Sequence, residues 1–108
     1  MFMWSVNGQD LKMCEGDYGI ALPIKINGMT FASGDCVKIT FKDENNGEEI
    51  LVKDYTSVIN NTISLEFTQE ESALFPVGSY VYRIDAYQNG NYLNNIVPSA
   101  PLRVVDVA

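Results

Sequence analysis

The sequence predicts an all-β protein, an immunoglobulin-like antiparallel β-sandwich of about seven to nine strands with one short helical turn. Asn-Gly pairs, which tolerate the positive φ of tight hairpin turns, recur at Asn7-Gly8, Asn27-Gly28, Asn46-Gly47 and Asn89-Gly90. Runs of alternating apolar and polar residues lie between several of these turns. A chain of 108 residues can bury one core, so we expect a single domain over residues 1–108.

The N-terminal part of the chain contains the least regular strand patterns. We interpret residues 1–9 as an N-terminal arm, and Asp10–Cys14 as a short edge strand. Tyr18–Ile26 has apolar side chains at alternate positions, which predicts a strand with one buried face. Because proline cannot donate to a sheet ladder, Pro23 should place this strand at an edge or at a bulge.

The middle of the chain is predicted to contain three strands, at Cys36–Lys42, Glu49–Tyr55 and Thr62–Thr68. The first and third alternate regularly between apolar and polar residues, and the second is interpreted as the strand that returns after a hairpin. In the first of them, Val37, Ile39 and Phe41 are predicted to face the core. The polar segment Asp43–Glu49 is interpreted as the hairpin tip that joins the first two strands.

Two local motifs precede or begin the next long strand. Thr68 and Glu71 have the Thr-x-x-Glu spacing of a capping box, which predicts one helical turn over Gln69–Leu74. A turn with Gly78, followed by Tyr80 at the start of a strand, resembles the tyrosine corner of immunoglobulin-like sandwiches. Both motifs are therefore interpreted as parts of a connection between strands.

The C-terminal part is predicted to contain three strands. They lie at Gly78–Gln88, which should be the longest, Asn91–Val97 and Leu102–Val107. Asn89-Gly90 joins the first two as a tight hairpin, and a link marked by Pro98 and Pro101 precedes the third. In the first of these strands, one face carries Tyr80, Tyr82, Ile84 and Ala86, and the other carries Val81, Arg83, Asp85 and Tyr87.

Acidic residues outnumber basic ones by 14 to 7, which gives the chain a net charge of −7. Sequence-independent nucleic-acid binding and docking to anionic lipid both need a basic surface, so neither nucleic acid nor a membrane is an expected partner.

No apolar stretch approaches the roughly 20 residues of a membrane span. Met1–Trp4 has no basic n-region, so we expect no signal peptide, and Cys14 and Cys36 should then be reduced.

Composition also limits the chemistry that the chain can perform. It has no histidine, so it lacks the commonest general base, and a Ser-His-Asp or Cys-His site cannot form within one chain. The acidic segment around Asn46-Gly47 does not follow the ligand order of an EF-hand loop, and we interpret it as a solvated hairpin tip. Paired carboxylates, as in glycosidases, are the remaining catalytic chemistry, but fourteen acidic residues make a chance pair easy, and a sandwich this small offers little room for a substrate cleft. We therefore expect no enzyme, no cofactor, and no catalytic or metal-binding residues.

Three aromatic residues are candidate interface residues: Trp4, Tyr87 and Tyr92. A two-residue Asn89-Gly90 loop pairs Tyr87 with Tyr92 across the hairpin, on the same face of the sheet. This pair is either an ordinary cross-strand aromatic contact or an interface or sugar-stacking platform. Trp4 either fills the core or packs, with the N-terminal arm, on a neighbouring subunit.

The ordered strand and turn motifs resemble the N-terminal β-sandwich domain of phage baseplate upper proteins and the short prophage tail-associated proteins related to it. Four segments carry the resemblance: Gly34–Asp43, Ile63–Leu74, Gly78–Asp85 and Pro101–Asp106. The first is a Gly-Asp pair followed by an alternating strand, and the second is a strand with a capped turn. The third is similar to the Gly-x-Tyr-x-Tyr strand of the family, and the fourth to its closing strand.

This resemblance implies a structural component of a phage or prophage tail or baseplate, located in the virion or in the cytoplasm of the bacterial host. Such modules pack against copies of themselves and against other tail proteins, so a homo-oligomer with tail or baseplate partners is expected. The resemblance carries over no catalytic residues. The alternative is an immunoglobulin-like module that binds carbohydrate or protein.

Overall fold

The computed structural model describes residues 4–7, 9–26, 31, 34–56, 58, 60–88 and 91–106. Within these residues the chain forms eight strands and one short helix, which confirms the predicted all-β class. The elements in chain order are β1 Trp4–Asn7, β2 Asp10–Cys14, β3 Leu22–Lys25, β4 Asp35–Asp43, β5 Glu49–Tyr55, β6 Thr62–Leu65, α1 Gln69–Ser72, β7 Gly78–Gln88 and β8 Asn91–Val105.

The strands form two sheets with one apolar core. The larger sheet has six strands in the order β1-β2-β8-β7-β4-β5, and the smaller one pairs β3 with β6. Val37, Ile39 and Phe41 of β4 are fully buried, as their alternation predicted, and they belong to the same apolar cluster as Ile63 and Leu65 of β6. The two sheets therefore enclose a common interior, as in a sandwich.

Aromatic rings fill the centre of this core. Phe67 stacks on Phe75 with ring centroids 5.2 Å apart, and Phe41 meets both rings edge-on. Trp4 packs edge-to-face on Phe67 at 5.5 Å. Such aromatic pairs add about 0.5–1.5 kcal/mol each beyond the burial of their area. The connection from β6 to β7, which carries Phe67 and Phe75, is thereby fixed to the larger sheet.

Several predicted features of the middle of the chain are confirmed. The bounds of β5 and β7 are those predicted from the sequence. The capping box forms before α1: Glu71 donates its amide to Thr68 Oγ1 at 3.1 Å, and Thr68 donates its amide to Glu71 Oε1 at 2.9 Å. Asn46-Gly47 lies in the β4–β5 tip, where Gly47 has a φ of 71° that glycine adopts without steric cost.

The other Asn-Gly pairs fall wholly or partly outside the described residues, at Gly8, Asn27-Gly28 and Asn89-Gly90. The flanking strands of two of these pairs are described: Asn7 pairs with Asp10, and Gln88 pairs with Asn91. The predicted antiparallel pairing of β7 with the strand that follows it is therefore confirmed.

The N-terminal part differs from the predictions. Residues 4–7 of the predicted arm form strand β1, which pairs antiparallel with β2. β2 is not an edge strand, because its other side pairs with the end of β8, and this pair is parallel rather than antiparallel. The register places Leu11 beside Leu102 and Met13 beside Val104, all of them buried. Alternation predicts which side chains are buried, but it does not determine the direction of a strand or which strand lies beside it.

The third strand is shorter than predicted. It spans Leu22–Lys25, whereas the predicted strand began at Tyr18. Gly19 has a φ of 81°, which interrupts the extended backbone, and Ile20 after it is 54% exposed. β3 pairs only with β6 among the described strands. The edge position predicted from Pro23 is therefore confirmed.

The C-terminal strand is the longest, with 15 residues against 11 in β7. The two strands predicted after Asn91 are therefore one continuous strand, with no separate link. The register with β7 shifts around Arg83, where Pro98 lies opposite, and the pairing with β2 begins only at Leu102, after Pro101. Proline is accommodated at a bulge or beside an unpaired edge because no ladder hydrogen bond is lost there.

Candidate functional site

Trp4 lies in the core. Its side chain is 8% exposed, and its indole Nε1 donates a hydrogen bond to the Ile20 carbonyl at 2.9 Å. Of the two roles that the sequence left open, this position corresponds to filling the core. The ring ties β1 to the segment before β3 and leaves little of its surface for a partner.

Tyr87 and Tyr92 are in register across β7 and β8, as predicted. Tyr87 follows the fully buried Ala86, so it projects from the side of β7 that faces away from the core, where it is half-buried. The side chain of Tyr92 lies outside the described part of the structure. The candidate site is therefore built around Tyr87.

We use the term outer face for the side of the six-stranded sheet that faces away from the core. Its cations are Lys12, Lys38, Lys42, Arg83 and Arg103, which alternate with buried residues along their strands. Its acids are Asp10, Glu49, Asp54 and Asp85. Tyr87 lies on the same face, near the end of β7. The outer face is thus rich in basic residues, although the chain as a whole is acidic.

Asp85 is a buried carboxylate within this face. It is 5% exposed and accepts two hydrogen bonds from Arg83, from Nε at 2.9 Å and from Nη2 at 3.0 Å. Asn95 Nδ2 donates a third at 2.7 Å. Burial alone would raise the pKa of the Asp85 carboxyl, but these hydrogen bonds and the charges of Arg83 and Lys38 together lower it. Asp85 therefore stays ionised and holds the Arg83 guanidinium in one orientation.

Lys38 connects this charged network to the tyrosine. Its Nζ lies 5.1 Å from the centroid of the Tyr87 ring and 4.0 Å from Asp54 Oδ1. A cation over an exposed aromatic ring contributes about 0.5–1 kcal/mol. One side of the Tyr87 ring is thereby occupied by a side chain of the same sheet.

These residues surround a shallow depression of 420 Å³ on the outer face. Its lining includes Lys38, Lys42, Arg83, Asp85 and Tyr87. Small-molecule sites are usually deep and mostly apolar. A shallow, charged depression with one aromatic ring is better suited to side chains of another protein.

Tyr87 is a candidate from the sequence alone, whereas the network beside it is not. Alternation placed Arg83 and Asp85 on the same face of β7, yet it did not predict that Asp85 is buried. Asn95 reaches Asp85 across β7–β8, whose register shifts on both sides of this pair. Such bulges have no fixed sequence pattern. The spacing Arg-x-Asp on one strand face is the signal that could have predicted the ion pair.

Among the residues that the structure describes, no group of three or more Cys, Asp or Glu side chains is placed to hold a metal ion. A search of the same residues finds no helix with the length and apolar character needed to cross a bilayer. Within this part of the chain, Cys14 and Cys36 lie on β2 and β4 and are not joined by a disulfide.

No protein-family model matches the chain, and no curated protein matches it either.

Proposed function

We propose that this chain is a non-enzymatic structural module of a phage or prophage tail or baseplate that acts through protein–protein contacts. The observation that carries the proposal is the outer face, which combines a half-buried tyrosine with an oriented arginine on a six-stranded sheet. Tyrosine and arginine are enriched at protein interfaces and among the residues that dominate their binding energy. The tail or baseplate assignment is supported by the resemblance of the strand and turn motifs.

Preorganisation of the outer face favours this role. Arg83 is held by two hydrogen bonds to Asp85, and Tyr87 is packed under Lys38, so both side chains lose little rotational freedom on binding. The Arg83 side chain is 42% exposed despite this contact. Part of this side chain therefore remains accessible to a partner.

The proposed partners are further copies of this chain and other tail or baseplate proteins, in the virion or in the host cytoplasm. The non-enzymatic assignment is supported by the absence of histidine from the sequence. It is also supported by Asp85, because its carboxylate is engaged by Arg83 and Asn95 rather than presented to a substrate.

Light scattering coupled to size-exclusion chromatography tests the assembly role. We expect the wild-type protein to have a mass above that of one chain, and Tyr87→Ala and Tyr92→Ala to shift it towards the monomer. Tyr18→Ala is the matched control, because Tyr18 is an exposed tyrosine outside the outer face, and it should leave the mass unchanged. A wild-type protein that stays monomeric at every concentration, or an unchanged mass in Tyr87→Ala, would contradict the proposal.

The alternative function is an immunoglobulin-like module that binds carbohydrate. The register of Tyr87 with Tyr92 favours it, because aromatic residues side by side on a sheet form a platform for sugar rings. Lys38 weighs against it, because its ammonium lies over one side of the Tyr87 ring. Binding to a glycan array that is lost in Tyr92→Ala, with a monomeric wild type, would support this alternative.

A further inference from the structure

We infer that the outer face binds the acidic β4–β5 tip of a second copy of this chain, so that copies associate head to tail. The tip comprises residues 43–48. The inference rests on the proposed assembly function and identifies the partner as a second copy of the chain. Three observations support it: the distribution of charge, the rigidity of the tip, and the distance between the two surfaces.

Charge is distributed unevenly over the molecule. The outer face carries five of the seven cations but four of the fourteen acids, so its net charge is +1. The rest of the chain carries the other two cations and ten acids, so its net charge is −8. Complementary potentials steer and orient protein surfaces. The outer face therefore suits an acidic partner, and the remainder of an identical chain is such a partner.

The tip presents carboxylates on a turn that is already ordered. Glu44 and Glu48 are exposed. Asp43 is used within the turn, where its Oδ1 accepts a hydrogen bond from the Asn45 amide at 2.8 Å. Asn46 Oδ1 accepts another from the Glu48 amide at 2.8 Å. Because the backbone of the turn is fixed before binding, ordering it costs little on association.

The tip does not neutralise the centre of the outer face on its own copy. Lys38 lies five residues before Asp43 on an extended strand, which is about 16 Å at about 3.3 Å per residue. Lys38 instead lies near Asp54, and Arg83 pairs with Asp85. The exposed carboxylates of Glu44 and Glu48 are therefore available to a second copy.

The depression on the outer face fits this occupant. Lys38, Lys42 and Arg83 line it together with Glu49 and Asp85, so three cations and two acids give its lining a net charge of +1, which favours the exposed carboxylates of a tip. Because the face and the tip are different surfaces, the contact is heterologous: each copy gives its tip to one neighbour and its face to another. Such contacts close into a ring or continue as a stack.

Charge reversal on each surface tests the inference by sedimentation velocity. Lys38→Glu changes the face at a site distant from the tip of the same copy, and Lys38→Gln repeats the test by neutralisation alone. Glu44→Lys changes the tip. The matched controls are Lys25→Glu on β3 and Glu70→Lys on α1, because each alters the charge equally at an exposed position outside both surfaces. Circular dichroism checks that every variant is folded.

We expect Lys38→Glu and Glu44→Lys each to weaken self-association on the order of tenfold or more, because an attractive contact becomes repulsive. An equimolar mixture of these two variants should regain association, because an acidic face then meets a basic tip. The two controls should associate like the wild type. Raising the salt concentration from about 0.05 M to about 0.5 M should weaken the wild-type complex through screening.

Failure of this inference is distinguishable from failure of the proposed function. Self-association that is unaffected by salt, by Lys38→Glu and by Glu44→Lys would overturn the head-to-tail contact and leave assembly through the aromatic part of the outer face, which Tyr87→Ala tests. Loss of association in both variants without recovery in the mixture would also overturn it. A wild-type protein that is monomeric under all of these conditions would overturn both.

Discussion

The Tyr80 hydroxyl donates a hydrogen bond to the Pro76 carbonyl oxygen, four residues earlier, over 2.6 Å. The ring of the same tyrosine packs edge-on against Phe75, with centroids 5.1 Å apart. One side chain thus fixes both the backbone and the core where the chain enters β7. This is the tyrosine corner that the sequence around Gly78 and Tyr80 predicted.

Removal of the Tyr80 hydroxyl should destabilise the fold without changing its shape. Tyr80→Phe keeps the ring but leaves the Pro76 carbonyl without this donor, so we expect the free energy of unfolding to fall by about 1 kcal/mol. Urea denaturation followed by circular dichroism measures it. Tyr18→Phe is the control, because Tyr18 is 50% exposed, and its free energy of unfolding should stay within about 0.5 kcal/mol of the wild type.

Replacement of Asp85 should reveal a contribution to stability that is lost in acid. In Asp85→Asn an amide group faces the donors of Arg83 and Asn95, so we expect a loss of about 1–3 kcal/mol at neutral pH. The folded state lowers the pKa of Asp85 from 3.8, so this contribution is present above pH 3.8 and is lost as the pH falls through the lowered value. The difference between wild type and variant should therefore shrink in acid.

Denaturation curves across this pH range measure that difference. Asp106→Asn serves as the control, because Asp106 is an exposed aspartate, and it should track the wild type throughout. A difference between wild type and Asp85→Asn that stays constant from neutral pH to well below 3.8 would show that the ionised carboxylate is not what stabilises this network.

Alkaline pH should destabilise the protein through Tyr82. Its hydroxyl is buried and donates to the Gln9 carbonyl, and burial, with a smaller effect of the Asp10 charge, raises its pKa from 10.0 to about 12. Because the folded state retains the proton, stability that is present below pH 10 should be lost as the pH rises towards 12. Tyr82→Phe should show a shallower decline over this interval, and an identical decline would contradict this role.

Truncation of Trp4 should mainly lower the stability of the fold, whereas truncation of Tyr87 should mainly weaken assembly. Trp4→Ala removes a buried ring and should lower the free energy of unfolding by about 3–5 kcal/mol. Tyr87→Ala removes a half-buried ring from the outer face and should cost about 1 kcal/mol or less while weakening assembly. Circular dichroism is the suitable probe, because Trp4 is the only tryptophan. Similar small losses of stability in both variants would place Trp4 outside the core.

The elements that could be predicted are those determined by residues close together in the sequence. β7 has the predicted bounds because its side chains alternate between the core and the outer face along most of the strand, and the capping box of Thr68 and Glu71 uses residues only three apart. β8 was predicted as two strands because Pro98 and Pro101 usually end a ladder. Only the bulge opposite Arg83 and the late start of the β2 pairing make both prolines compatible with one strand.

In the candidate site, too, features that depend on nearby residues could be predicted, and features that depend on distant strands could not. The register of Tyr87 with Tyr92 could be predicted, because a two-residue loop determines it. The contact of Asn95 with Asp85 could not, because it depends on register shifts that leave no sequence pattern. The basic character of the outer face was hidden for another reason: net charge is a sum over the chain, and it does not record which side of a strand each charge occupies.

The parallel pair β2–β8 has a consequence for protein synthesis. Leu11 pairs with Leu102, so the hairpin of β1 and β2 has no neighbour in its sheet until β8 has left the ribosome. Up to that moment the apolar side chains of Leu11 and Met13 lack the neighbouring strand beside which they pack. A nascent chain that stalls before β8 should therefore be captured by chaperones or degraded, whereas synthesis and release of the 15 residues of β8 allow the sheet to close.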